Sequence, residues 1–359
     1  MGEERNTSWG IKVVLHGIFI LVVLGLLVGY TNAPAALAQL NMAFFALAAL
    51  FYIASILVWI VSWAYLVQKD ARLPFWEVVK TGFSCVYGAI TPIQLGAEAL
   101  RSIRLKERFN VPYSVSVSAS MIVKGIKFFL LALIASVVLF IFIVETQLDA
   151  LFFASFLSGF GVVVLASLAF LLPINRRWGR RMAAFFRRYA RANEKGWAGR
   201  IALFFERYAD YLAKINGVDF FITFFLAFIS WVFEFLALLF TFTALGISVK
   251  VSALVILFVL ISVLERTPFL PRGIGLVEVI TFNFLSFPQL TNAVYAVEEI
   301  GALLVAFDFV RILIPSVLSL ALTAWLKAAR HRQPKQAVQY HHAPDNPNNV
   351  AFVQGPKHP

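Results

Sequence analysis

The chain reads as long apolar blocks separated by short polar ones. Six blocks, 13–31, 43–67, 113–144, 150–173, 219–248 and 300–326, each reach the ~17 or more residues that a helix needs to cross a bilayer core of about 30 Å. Two further apolar stretches, 75–110 and 251–288, are interrupted near their middles by Thr91-Pro92 and Thr267-Pro268. Proline removes a backbone donor and breaks a helix. The pattern predicts an all-α, polytopic helical membrane protein with about six full spans and two broken hairpins. The organisation expected is a short N-terminus (1–12), a membrane domain (13–326) and a tail (327–359). No small-residue cleavage site follows the first apolar run, so it reads as a span rather than a signal peptide.

Charge orients the spans. Arg5 and Lys12 precede the first span, Lys69 and Arg72 follow the second, and Lys327, Arg330 and Arg332 follow the last. The turn 32–41 carries no charge, and Glu145 and Asp149 lie between the third and fourth spans without a basic residue. Basic ends face the cytoplasm, which predicts cytoplasmic termini and, in a prokaryote, a plasma-membrane location. Parity then sends 75–110 in and out on the cytoplasmic side and 251–288 in and out on the other. Arms of about 14 residues span roughly 21 Å, short of the core. Both a re-entrant hairpin and a pair of short spans fit these facts. The two breaks resemble each other, TPIQLGAE against TPFLPRGIGLVE. Such weak internal likeness marks an inverted repeat, although two unrelated proline kinks would produce it too.

Residues 175–217 are amphipathic. Met182, Phe185, Phe186 and Tyr189 recur at helical spacing, as do Ile201, Phe204, Phe205, Tyr208 and Leu212. Arg177, Arg180, Arg181, Arg187, Arg188 and Arg191 take the opposite face of the first helix. Aromatics at the acyl boundary and arginines on phosphates make an interfacial lipid-binding helix pair; a helical hairpin packed on the protein itself is the other reading. The segment 333–359 is rich in Pro, Asn, Gln and His and is expected to be disordered.

Composition sharpens the class. The chain is 60% hydrophobic and 14% charged, with a net charge of +12. That charge is local: 175–217 holds 11 basic against 3 acidic residues, and 327–359 holds 5 against 1. Both segments adjoin apolar spans, so anionic phospholipid headgroups are the expected partners and nucleic acid is not. A homo-oligomer is a further expected state. The single cysteine, Cys85, excludes a disulfide within the chain. No HExxH, P-loop, GxSxG or GxGxxG is present, so no cofactor, metal or enzymatic activity is expected.

The remaining signal is charge inside the membrane, where ionised groups cost about 2.5–3.5 kcal/mol each on insertion scales and therefore pair or line water. The candidates are Glu98 and Arg101 after the first break, Lys124 and Lys127 in the third span, Glu234 in the fifth, Glu265 and Arg266 at the second break with Arg272 and Glu278 after it, and Asp308 and Arg311 in the last span. Asp308 and Arg311 share a helix face as an ion pair. Lys124 and Lys127 also share one, and need an anion, an acid such as Glu98 or Glu278, or an escape to the membrane surface. Thr91, Pro92 and Gly96, with Gly273 and Gly275, mark breaks that free backbone groups. Bilayer chemistry allows this only beside protein or a wet cavity. The helix after each break points its N-terminal dipole inward, where anionic groups are favoured.

The run Thr91-Pro92-Ile93-Gln94-Leu95-Gly96-Ala97-Glu98-Ala99-Leu100-Arg101, followed by Arg104 to Arg108 and Val111-Pro112, resembles the first signature of the lysylphosphatidylglycerol synthase transmembrane-region family, TPGGLGGEALR and then VP. Pro271-Arg272-Gly273-Ile274-Gly275-Leu276-Val277-Glu278 is similar to its second, PGGIGxxE, and Asp308 to Arg311 with Pro315 to its last-helix motif. The chain departs from the pattern at Ile93, Gln94 and Arg272, each in place of glycine, and at Val123, Lys124 and Lys127, where the family carries a Glu-Arg pair and an aspartate. The resemblance implies a flippase-like lipid transporter. The stretch after the last span leaves no room for the family's soluble aminoacyl-transfer domain, so aminoacylation is not expected. An ion-coupled small-solute transporter and an accessory subunit of a lipid or envelope pathway are the alternatives. Substitution of Arg311 or Glu278 by alanine is expected to abolish transport while leaving expression intact.

Overall fold

The computed structural model describes residues 33–71, 73–90, 95–145, 175–189, 196–265, 271–286 and 295–332, with isolated positions between 18 and 29 and between 161 and 168. The expected spans 13–31 and 150–173 lie largely outside these residues. Thr91, Pro92, Arg266, Thr267, Pro268, Arg191 and 333–359 lie outside them entirely.

The described chain is helical. The helices are α1 (Met42–Val67), α2 (Phe75–Phe83), α3 (Leu95–Phe109), α4 (Tyr113–Glu145), α5 (Arg176–Tyr189), α6 (Trp197–Leu212), α7 (Gly217–Ala244), α8 (Val251–Leu264), α9 (Leu276–Leu285), α10 (Val297–Asp308) and α11 (Ile314–Arg332). Helices α1, α4, α7 and the α10–α11 unit are long and apolar enough to cross a membrane; α8 and α9 are shorter apolar helices. The protein is therefore a polytopic helical membrane protein. Helix α11 runs on to Arg332, so residues 327–332, expected in the tail, continue the last helix.

The order span, broken hairpin, span occurs twice. In the first half α1 leads to α2, a 3₁₀ turn at Val86–Ile90, α3 and then α4. In the second half α7 leads to α8, a 3₁₀ turn at Pro271–Gly273, α9 and then α10–α11. The two 3₁₀ turns touch each other. Each hairpin also packs on the closing span of the other half: the first turn on α11, and α8 on α4. This exchange is what a repeat relation between the halves produces, and it brings both breaks to one place.

Helices α1 and α7 make the most extensive contact and run antiparallel. At one end the Asn41 N–H donates to Ala244 O at 2.8 Å. At the other, Lys69 meets Asp219 at 2.6 Å. The small Ser55 and Ser230 let the helices approach, and the Ser230 hydroxyl donates to Ser55 O at 3.1 Å. The rings of Phe51 and Phe240 stack 5.4 Å apart. Asn41 caps α1 through bonds from Ala43 N (3.1 Å) and Phe44 N (3.4 Å). Asn216 and Asp219 form a capping box on α7. Asp219 and the Tyr65 hydroxyl hold the Lys69 ammonium above its ordinary range.

The amphipathic segment is a helical hairpin. Phe186 stacks on Phe205 at 5.8 Å between α5 and α6, and Trp178 meets Phe205 edge-on at 5.6 Å. The aromatic stripe of α6 turns inward: Tyr208, Tyr211 and Leu212 are buried, and the Tyr211 hydroxyl donates to Leu66 O at 2.9 Å. Packing on the protein thus absorbs α6 and Phe186. Phe185 and Tyr189 stay exposed, as do Arg177, Arg180, Arg181, Arg187 and Arg188, with Arg187 paired to Glu206.

Candidate functional site

The second break explains its glycines. The backbone adopts positive φ at Arg272 (48°), Gly273 (67°) and Gly275 (91°), the left-handed region where a Cβ is strained. At Gly273 an added Cβ would also lie 2.5 Å from Leu264 O, whereas Gly275 has open space. Gly273→Ala should destabilise the protein by about 1–3 kcal/mol, more than Gly275→Ala. Thermal unfolding of both variants in detergent checks this, and an equal melting temperature for Gly273→Ala and the parent would contradict the backbone assignment.

This geometry delivers charge to Arg311. Its side chain is fully buried. Nε donates to Asp308 Oδ1 at 2.6 Å, Nη2 to Glu278 Oε1 at 2.6 Å, and Nη1 to Glu265 Oε1 at 3.2 Å and Arg272 O at 3.1 Å. The other oxygen of Glu278 accepts from the Gly275 N–H at the start of α9. Arg272 donates to the Arg311 carbonyl and, at 2.9 Å, to the Tyr52 hydroxyl on α1. The backbone around Arg311, Phe309–Leu313, is a π-helical turn set into one continuous span, Val297–Ala329. Such turns recur at functional positions. The helical partner of the Arg311 carbonyl would be the N–H of residue 315, but Pro315 has none, so that carbonyl accepts from Arg272 instead.

The first half repeats the motif with different charges. Glu98 lies in the first turn of α3 as Glu278 does in α9, and each pairs with a cation on the following span. Lys124 meets Glu98 at 3.0 Å, as Arg311 meets Glu278. Lys127, one turn on, meets Glu234 of α7 at 2.9 Å. The two lysines are thus neutralised within the protein, by one expected acid and one from another span. Because each break's helix start already carries its own glutamate, the dipole that favours an anion there is occupied by a side chain.

Arg101 is different. It is 1% exposed, and its guanidinium lies over Trp59 (4.3 Å to the ring centroid) and Trp63 (5.4 Å). Among the described residues its Nε and Nη2 have no hydrogen-bond partner, and neither has Glu98 Oε2. Lys127 also faces the Trp59 ring at 5.4 Å. Arginine stacks well on indole, but stacking leaves the in-plane donors unmet.

The two clusters carry opposite balance. Around Trp59, Arg101, Lys124 and Lys127 face Glu98 and Glu234, one positive charge in excess. Around Tyr52, Glu265, Glu278 and Asp308 face Arg272 and Arg311, one negative charge in excess. Tyr52 and Trp59 are seven residues apart on α1, hence on one face and about 10 Å apart along the axis. Tyr52, Trp59 and Trp63, absent from the sequence-derived set, line this site. Their i, i+7, i+11 spacing was the available signal, hidden in a helix that is apolar all round. Gly96 lies in the first turn of α3, and Gly88 packs against it: a Cβ at Gly88 would lie 2.9 Å from the Gly96 carbonyl carbon. Among the described residues no three His, Cys, Asp or Glu side chains gather as metal ligands would.

A family model described as lysylphosphatidylglycerol synthase TM region matches residues 12–319. Neither a curated protein nor a solved structure gives a match.

Proposed function

From the premise that the chain belongs to the lysylphosphatidylglycerol synthase TM region family, we propose that it moves a phospholipid, or another lipid-linked headgroup, between leaflets. The chain is an integral membrane protein of this lipid-related family. The observation that carries the proposal is Arg101, a buried guanidinium with two nitrogens that lack a hydrogen-bond partner among the described residues. A buried unpaired charge is strongly unfavourable. A headgroup phosphate crossing between the halves would supply the missing acceptors in charge-assisted geometry, while the acyl chains stay in the bilayer. Lys124 and Lys127 stand beside it, each paired with a carboxylate, so the excess positive charge of the cluster is that of Arg101. In this proposal the chain performs no covalent chemistry, its termini and exposed α5 arginines face the cytoplasm, anionic lipids are its partners, and the plasma membrane is its location.

The test uses purified protein in vesicles carrying fluorescent phospholipids, with dithionite added outside. Bleaching well past half of the signal supports lipid movement. Bleaching that stops at half for zwitterionic, anionic and amine-bearing lipids alike removes the proposal. A second reading, ion-coupled solute transport, draws on Asp308 Oδ2, buried with no hydrogen-bond partner among the described residues. Uptake of a solute driven by a proton gradient, without lipid movement, would favour it.

A further inference from the structure

A cavity of about 110 Å³ opens where the first hairpin meets α11, several times the ~10–15 Å³ that one water needs. Arg104, Arg108 and Lys327 line it together with the hydroxyls of Thr81, Ser84 and Thr323. It lies apart from the Arg101 and Arg311 clusters: α11 rises at ~1.5 Å per residue, so Thr323 stands about 18 Å along the helix from Arg311.

Arg104 organises the cavity. Its Nη1 donates to Ser84 O (2.9 Å), Ser84 Oγ (2.5 Å) and Thr323 Oγ1 (3.1 Å), and Nη2 donates to the Tyr87 hydroxyl oxygen (3.1 Å). Every one of these acceptors is neutral. The guanidinium is therefore fixed in place without being neutralised. Arg108 reaches Glu77, which also binds Lys80 at 3.0 Å. Lys327 is exposed and makes no ion pair among the described residues. Glu107 is the carboxylate on the cavity wall. Counting Glu77 and Lys80, four cations face two carboxylates. Fixed cations on a concave wall are the makings of an oxyanion site; the Thr81, Ser84 and Thr323 hydroxyls give their hydrogens to the carbonyls of Glu77, Thr81 and Ser84 and hold that wall in shape.

We propose that this cavity binds a phosphate group, and that its occupant clamps the first hairpin to α11. Thr81, Ser84, Arg104 and Arg108 belong to the first half of the chain, and Thr323 and Lys327 to the second. A phosphate bridging them ties the halves together at the edge where the basic helix ends gather. A lipid headgroup and a free phosphate present the same chemistry, and the site holds whether or not the protein moves lipid.

The experiment titrates the purified full-length chain in neutral detergent with inorganic phosphate and, separately, with short-chain phosphatidylglycerol, reading heat of binding and melting temperature. Saturable binding of either probe, weakened about tenfold or more by Lys327→Glu, is the expected result. Response to the lipid alone identifies a headgroup site, and response to inorganic phosphate identifies a site open to soluble phosphate. Lys327 is exposed, so Lys327→Glu should melt as the parent does without ligand. Arg108→Gln serves as the second variant. Binding of neither probe, or parent-like binding by both variants, overturns the proposal.

Discussion

Arg311→Ala is expected to lower the yield of folded protein and to destabilise it by about 3–5 kcal/mol, the range for breaking a buried ion pair from one side. The reason is the company Arg311 keeps. It is the common partner of Asp308, Glu278 and Glu265, and it receives Arg272 on its own carbonyl. Removing it leaves three carboxylates to repel one another in a low dielectric and releases the second hairpin from the last span. The sequence alone suggested a variant that folds and fails to transport. The fully buried arginine points instead to a hub that holds α8, α9 and α10 in register. Lysine at 311 should rescue little, since one ammonium cannot reproduce three directed guanidinium contacts. Melting temperature in detergent and the monodisperse fraction after purification check this. Full yield with an unchanged melting temperature would show that the carboxylates are satisfied without Arg311.

Arg101→Met should have the opposite profile: lipid movement lost, stability kept or raised by up to about 1–4 kcal/mol. Methionine fills similar space between Trp59 and Trp63 and interacts well with aromatic rings, and it removes two donors that lack partners among the described residues. Glu98 keeps Lys124 at 3.0 Å, so no carboxylate is stranded. The loss of stacking on two indoles, about 0.5–2 kcal/mol, works against the gain. The measurement pairs dithionite bleaching with thermal unfolding of the same preparation. A variant that melts far below the parent would make Arg101 a structural residue, and one that still moves lipid would take it out of the translocation path.

These two arginines were equally visible beforehand, because any charge stands out against apolar spans. Their roles were not. Asp308 was legible as the partner of Arg311 since it sits three residues away on one helix. Glu278 and Glu265 are 33 and 46 residues distant, and only the return of the second hairpin brings them in. Lys127 found Glu234 across 107 residues. The aromatic stripe of α6 shows the same limit from the other side. Its spacing correctly signalled a one-sided apolar helix, but helical periodicity states that a face is buried, not what buries it. Here α5 and α4 do so, with the Tyr211 hydroxyl bonded to Leu66 O of α1. The resemblance of the breaks was readable from Thr-Pro, Gly and Glu, whereas their contact with each other was not.

The sequence by itself determined a membrane-embedded helical protein, four of its spans, its two breaks and its family, because hydrophobic length and proline position are local properties that the bilayer reads directly. Tertiary structure decided which charges neutralise one another, that Arg311 is saturated while Arg101 is not, and that a basic cavity forms between the halves. Those outcomes depend on distances between side chains far apart in the chain. Coulomb and hydrogen-bond energies fall within a few ångströms from decisive to negligible, so only the packed helices could settle them.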